Sequence, residues 1–247
     1  MINIFLFSFI SSIYLICAGH IFLLKKNIEI SEIYTSIFFG SFLLSIIGLF
    51  LNFFIPLDIK TNTILLILIF FIGFFFIIKN KNFLKIIYCS VFISIISTLI
   101  LSYDTIYRPD ANLYHLPYTQ IINENKIIFG VSNIHFRFGH ISIIQYLNAI
   151  FNNFIFKENG IIIPAAIIFS AIVLYFYNEI KKNINKDVSY AFYIFLLFAY
   201  ILYGYNRYSE FGNDTIAHLY FLLISSYFLR DNYKKNISKE DFIKLLI

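Results

Sequence analysis

The stretch between Lys85 and Asp104 limits what this chain can fold into, because eighteen consecutive residues there carry no charge and most are apolar. At a rise of ~1.5 Å per residue, about twenty such residues in one α-helix cross the ~30 Å hydrocarbon layer of a bilayer. Similar runs recur near residues 2–24, 34–55, 63–78, 160–178, 188–205 and 215–229. Together with the run at 83–102 they predict seven membrane spans. Only 13% of the residues are charged and 60% are hydrophobic, whereas a soluble domain carries roughly 25% charged residues. The expected fold class is an all-α integral membrane protein.

Sidedness follows from where the basic residues fall. No Lys or Arg precedes the first apolar run, and Lys25 and Lys26 follow it. That order reads as a signal-anchor helix with its N-terminus outside, not as a cleaved signal peptide. Segments 25–33, 79–85, 179–187 and 230–247 then face the cytoplasm and hold 13 of the 19 Lys and Arg, the bias expected of inner loops. The predicted location is the cytoplasmic (inner) membrane, with multiple passes. Cys17 and Cys89 fall inside apolar runs and read as small packing residues.

Segment 136–156 is ambiguous, being apolar while holding Arg137, His140, Gln145, Asn148, Asn152 and Asn153. At ~100° per residue, Gln145, Asn148 and Asn152 share one helix face. Ile143, Ile144, Leu147, Ile150, Phe151 and Phe154 cover the other. This pattern predicts a helix lying in the interface plane. An inverted arrangement with this segment as an eighth span keeps a similar charge bias, but draws the polar face through lipid. With seven spans, segment 103–159 and the loop 206–214 emerge together on the outer face.

Those two loops hold most of the chemically capable side chains. The first carries Asp104, Arg108, Asp110, Tyr114, His115, Glu124, His135, Arg137 and His140; the second carries Arg207, Glu210 and Asp214, with His218 one turn later. Acids and histidines at a bilayer edge are costly unless paired or solvated, and they often mark a pathway or an active site. Each also has a plain structural reading. Asp110 before Ala-Asn-Leu suits a helix N-cap, as does Asn213 or Asp214 before the last run. Tyr103, Tyr107, Tyr114 and Tyr118 suit the headgroup level. The stretch 111–125 is amphipathic, with Pro117 expected to kink or restart its helix. No metalloprotease, phosphate-loop, dinucleotide or nucleophile-elbow motif occurs, and the outer loops are too weakly basic for a nucleic-acid partner.

The order of parts resembles the GT-C superfamily of membrane glycosyltransferases, which place an acidic motif in a long first outer loop and a further acid in a second outer loop. On this resemblance PDANLYHLP is the acidic motif, 103–159 the long loop, 83–229 the core, 1–82 a preceding three-helix region, and Glu210 or Asp214 the second acid. The stretch YHLPYTQIINENKIIFGVSNIHFRFGH is also similar to that of an uncharacterised family of bacterial multispanning proteins. The chain departs from the superfamily in offering a single Asp110 where an acidic pair is usual. Residues 230–247 read as a basic cytoplasmic tail or, from Ser238 on, as the opening of another helix.

The resemblance implies transfer of a sugar from a polyprenyl-phosphate donor on the extracytoplasmic face. Asp110 would be the base or would position the acceptor hydroxyl, and His115 would orient it. Arg108, Arg137 and Arg207 would neutralise the phosphate, with Tyr114 and His218 as further substrate contacts. Asp214, before Glu210, would hold a divalent cation such as Mg²⁺ or Mn²⁺. Interface helices at 111–125 and 141–155 would cradle the lipid chain. The alternatives are a non-enzymatic multispanning protein, such as a transporter subunit or assembly partner, and an inactive fragment of a longer enzyme. Protein partners are not legible in the sequence.

Overall fold

A computed structural model describes residues 1–23, 30–103, 110–139, 142–209, 211–212 and 214–234. Among these the protein is all helical. The long helices are α1 (Ile2–Leu23), α2 (Ile30–Asn52), α3 (Ile59–Ile78), α4 (Phe83–Tyr103), α7 (Ile163–Asn183), α8 (Val188–Tyr203) and α9 (Asp214–Lys234). Two short ones, α5 (Leu116–Glu124) and α6 (Ile144–Ile150), stand in the long loop between α4 and α7. Five helices, α1, α2, α3, α4 and α7, are long and apolar enough to cross a membrane, and the architecture is compatible with a multi-pass membrane protein. α8 is apolar but has 16 residues, and α9 carries Asp214, His218 and Arg230, so neither joins that group.

α1 is the axis of the bundle and packs against α2, α3, α4 and α7. Close approach is possible because small residues line its contacts, the usual solution where lipid supplies no hydrophobic drive between helices. A methyl group at Gly40 of α2 would run into the Leu15 carbonyl, one at Gly19 into that of Ser36, and one at Gly73 of α3 into Cys17. α4 meets α7 through a hydroxyl pair, Ser97 and Ser170, 2.9 Å apart. α8 and α9 pack against α7. Phe71, Phe75, Phe92, Leu99, Phe192 and Tyr200 point outward from α3, α4 and α8, the apolar coat a lipid-facing bundle requires.

One buried acid ties the far end of the bundle. Glu179 of α7 is 3% exposed and accepts from Tyr190 Oη of α8 at 3.3 Å. A buried carboxylate is tolerated only when hydrogen-bonded or paired. Here it fixes α8 to α7, and α8 itself starts with Asp187 accepting from the Tyr190 N–H.

Residues 136–156 do not form the interface-lying helix that their periodicity predicts. The segment breaks into a 3₁₀ turn (Phe136–Gly139) and the seven-residue α6, and a second 3₁₀ turn (Lys157–Gly160) follows it. Every residue of α6 is buried, the supposed polar face included, since Gln145 and Asn148 are each 4% exposed. Two of the amides meet protein groups, while Asn148 Oδ1 has no hydrogen-bond partner among the described residues. Gln145 Oε1 accepts from the Ser142 N–H, and Asn152 Nδ2 donates to Asn123 Oδ1. Ile141 and His140 lie outside the described residues.

Side-chain amides then secure the loop end of the bundle. Asn62 of α3, fully buried, donates to the carbonyls of Leu57, Ala149 and Asn152. Asn52 of α2 donates to those of Ile122 and Asn125, and Asn123 of α5 to those of Leu57 and Ala149. Asn62→Leu takes the side-chain donor from the Asn152 carbonyl, leaves Asn123 as the side-chain donor to those of Leu57 and Ala149, and should lower unfolding free energy by about 1–3 kcal/mol. Lys81→Ala on the exposed turn should stay within about 0.5 kcal/mol. Denaturant titration of both variants in one detergent checks this, and equal midpoints would remove the asparagines from their role.

Candidate functional site

The site starts where Asp110 opens the loop helix. Its backbone is helical, φ −61° and ψ −30°, and its side chain makes no capping hydrogen bond. The capping role open to Asp110 is therefore not taken. The carboxylate is exposed. Ala111–His115 form a turn of π-helix, closed by the Leu116 N–H donating to the Ala111 carbonyl. Pro117 explains the widening, because its ring lacks an N–H and crowds the carbonyl four residues earlier. α5 resumes from there with Pro117 in its first turn, as expected of a restart. Single π turns recur at functional sites because the widened turn re-aims its side chains.

That turn carries Tyr114 and His115 into contact, with ring centroids 4.1 Å apart. Arg137 approaches from the 3₁₀ turn after residue 135. Its guanidinium lies 4.9 Å from the Tyr114 ring centroid, and Nη1 donates to Tyr114 Oη at 3.4 Å. His115 is 9% exposed and its Nδ1 has no hydrogen-bond partner among the described residues. The second loop closes over it, since a methyl group at Gly212 would stand 3.7 Å from His115 Nε2.

The electrostatics join the two loops. Burial pushes the His115 imidazole below its usual value of 6.5, while the carboxylates of Asp214 and Asp110 pull it up and Arg137 pushes it down. Tyr114 is raised by burial first and then by Asp110, against Arg137, with Asp214 adding to the rise. Asp110 and Asp214, 104 positions apart in sequence, thus act on the same two rings. A neutral imidazole between two carboxylates and a guanidinium can accept or relay a proton near neutral pH.

The remaining expected site residues are distributed less tightly. His218 is exposed on α9, and Arg207 is exposed in the turn Tyr205–Ser209. Neither is among the charges bearing on His115 or Tyr114. Arg108 and Glu210 lie outside the described residues, as do Asp104 and Asn213. Among the described residues no three His, Cys, Asp or Glu side chains are grouped to hold a metal ion. Glu210, expected beside Asp214 in holding a cation, lies outside those residues.

Two cavities flank α5. One, of about 810 Å³, is bordered by Leu116, Gln120 and Glu124 of α5, by Asp58 and Lys60 at the start of α3, and by Phe211. The other, of about 350 Å³, is bordered by Tyr118, Ile122, Phe138 and Tyr146, with Lys126 at its edge. Asp58 caps α3 by accepting from the Thr61 N–H at 2.8 Å, which holds its carboxyl below the usual range. Its place was readable in principle, because the turn 53–58 shares a face with the long loop in a seven-span topology.

The His115 shift has a consequence for stability. The unfolded imidazole takes its proton near pH 6.5 and the buried one only at lower pH, so the unfolded state binds more protons in that window. Stability should therefore fall as pH drops below about 6.5 and through the depressed folded value. His115→Gln should flatten part of that fall in thermal melts between pH 8 and pH 5. An unchanged slope would mean that the imidazole is not buried as described.

No curated protein and no solved structure matches this chain. One family model matches residues 1–247, described as a domain of unknown function, DUF8201. With the whole length matched, the chain belongs to the DUF8201 family.

Proposed function

We infer that this protein is a membrane glycosyltransferase, moving a sugar from a polyprenyl-phosphate donor to an acceptor at the extracytoplasmic face of the cytoplasmic membrane. The observation that carries the reading is the meeting of the two loops at His115, where Gly212 stands against Nε2, Arg137 donates to Tyr114, and Asp110 heads the same turn. A displacement at an anomeric carbon needs a base for the incoming hydroxyl and a cation for the departing phosphate. This cluster holds both.

In the reaction, the acceptor oxygen attacks the anomeric carbon and the bond from that carbon to the phosphate oxygen breaks. The bonding electrons leave with polyprenyl phosphate, and the hydroxyl proton passes to Asp110. His115, kept neutral by burial, holds a hydrogen bond to the acceptor or to the carboxylate without repelling either through charge. Arg137 is positioned by Tyr114 and meets the phosphate, where a guanidinium can form two parallel hydrogen bonds. Asp214 balances the charge of Arg137. Arg108, Arg207, Glu210 and His218 would contact substrate as the loops close on it. The sugar and its polyprenyl-phosphate carrier come from the resemblance in the sequence, and the roles of Asp110, His115 and Arg137 come from this chemistry.

The membrane arrangement in this reading has seven crossings, α8 and α9 included, with the N-terminus outside. Single cysteines at Lys126 and Arg207 should then react with a membrane-impermeant thiol reagent in intact cells, and one at Lys181 should not. Native Cys17 and Cys89 are buried and add little background. Labelling of Lys126 and Arg207 positions from opposite sides would end the shared-site reading.

For the chemistry, a strain lacking the protein should lose one envelope glycan product, and the wild-type gene should restore it. Asp110→Asn at equal expression should restore about 10²–10⁴-fold less, the usual worth of general-base catalysis. Full restoration by Asp110→Asn would remove the base from this assignment.

A further inference from the structure

The larger cavity beside α5 has a chemistry of its own. Its volume, about 810 Å³, lies within the ~300–1,000 Å³ common for small-molecule sites. Asp110, Arg137 and Asp214 are not among its lining residues. It nevertheless adjoins their cluster, because Leu116 follows His115 in the chain and Phe211 precedes Gly212, the residue against the imidazole.

Three carboxylates face this space, Asp58, Glu124 and Glu158, against one ammonium, Lys60. A concave site lined by one sign of charge concentrates ligands of the other sign. Phosphates and other anions are disfavoured there. Amides supply the rest of the polar lining. Gln120 uses its Nε2 to donate to Glu124 Oε1 at 2.8 Å. Asn152 uses its Nδ2 to donate to Asn123 Oδ1 at 2.9 Å. The Asn152 Oδ1 is buried and has no hydrogen-bond partner among the described residues. That oxygen is closed off from the cavity, and the exposed amides of Gln120 and Asn159 are the ones within a ligand's reach. Phe154 and Phe211 add two aromatic side chains suited to the C–H face of a sugar ring.

We propose that this cavity binds a polyhydroxylated ligand bearing an amino group and no phosphate, an amino sugar being the simplest member of the class. The hydroxyls meet carboxylate and amide oxygens, the ammonium meets the excess negative charge, and the ring lies against phenylalanine. That this ligand is the acceptor of the transfer rests on the reading above; the binding itself does not. The charges divide the substrates, since the phosphate of the donor is drawn to Arg137 and turned away from the cavity.

The test is direct binding to the purified full chain in lipid nanodiscs, read by saturation-transfer NMR titration of glucosamine, glucose and glucose 6-phosphate. Glucosamine should bind about two- to fivefold more tightly than glucose, the range of a partly exposed ion pair, and glucose 6-phosphate more weakly than either. Higher salt should shrink the glucosamine advantage. Glu124→Gln with Glu158→Gln, both at exposed positions, should remove the advantage while leaving the melting temperature unchanged. Phe154→Ala should weaken all three sugars alike. Absence of binding by glucosamine, equal binding of the phosphate, or indifference to the double variant overturns the proposal. Asp110→Asn separates the two readings, since it should abolish transfer and leave glucosamine binding intact. If that variant kept transfer while the cavity still bound the sugar, the transfer mechanism would fall and the binding site would stand.

Discussion

Everything at the loop end depends on backbone carbonyls that no helix satisfies. Irregular backbone at the edge of a membrane is allowed only where each polar group finds a partner. Here asparagine side chains are the partners. Asn52, Asn62 and Asn123 come from three different helices, and their donations converge on the turn after α2, the end of α5 and the end of α6. Two backbone bonds complete the fastening, from the Leu57 N–H to the Ile122 carbonyl and from the Ile127 N–H to the Asn52 carbonyl. An amide suits this task because it is uncharged and can serve several carbonyls without the desolvation cost of an ion.

This fastening gives the site its rigidity from below. α5 is pinned at its C-terminal end by Asn123 and by the Ile122 and Asn125 carbonyls. Its N-terminal end holds the π turn, where Thr119 Oγ1 donates to the His115 carbonyl. The imidazole is therefore carried on a short rod fixed at one end to α2 and α3, and its ring meets the second loop at Gly212. The glycine contacts along α1 act on the same rod at a distance, because they set how close α2 and α3 can stand.

The spans were legible because hydrocarbon imposes a length and an apolar composition that few other environments demand. Predicted limits of 2–24, 63–78 and 83–102 lie within about four residues of α1, α3 and α4. His115 of the first loop and Gly212 of the second do stand against each other, as a shared face for the two loops requires. Segment 136–156 was not. Its periodicity separated Asn148 and Gln145 from Leu147 and Ile150 correctly, but a polar face says only that partners are needed, not whether they are water or carbonyls. Asn152 finds Asn123 of α5, 29 residues away in sequence, and no local pattern records that pairing. Asp110 shows the same limit, since Asp before Ala-Asn-Leu fits a cap, while Pro117 seven residues later reshapes the turn in which the cap would form.

α5 divides two unlike spaces through its own periodicity. Leu116, Gln120 and Glu124 recur every four residues and face the acid-lined cavity, while Tyr118, Ile121 and Ile122 face the smaller apolar one with Lys126 at its edge. One helix of nine residues thus separates a space suited to hydroxyls from a space suited to hydrocarbon. His115 immediately precedes it, where both spaces are near. The separation also has an electrostatic side: basic groups lie at Arg137 and Lys126, carboxylates at Asp58, Glu124 and Glu158. In the transfer reading inferred above, this division would draw a phosphate toward Arg137 and an ammonium toward the acid-lined cavity.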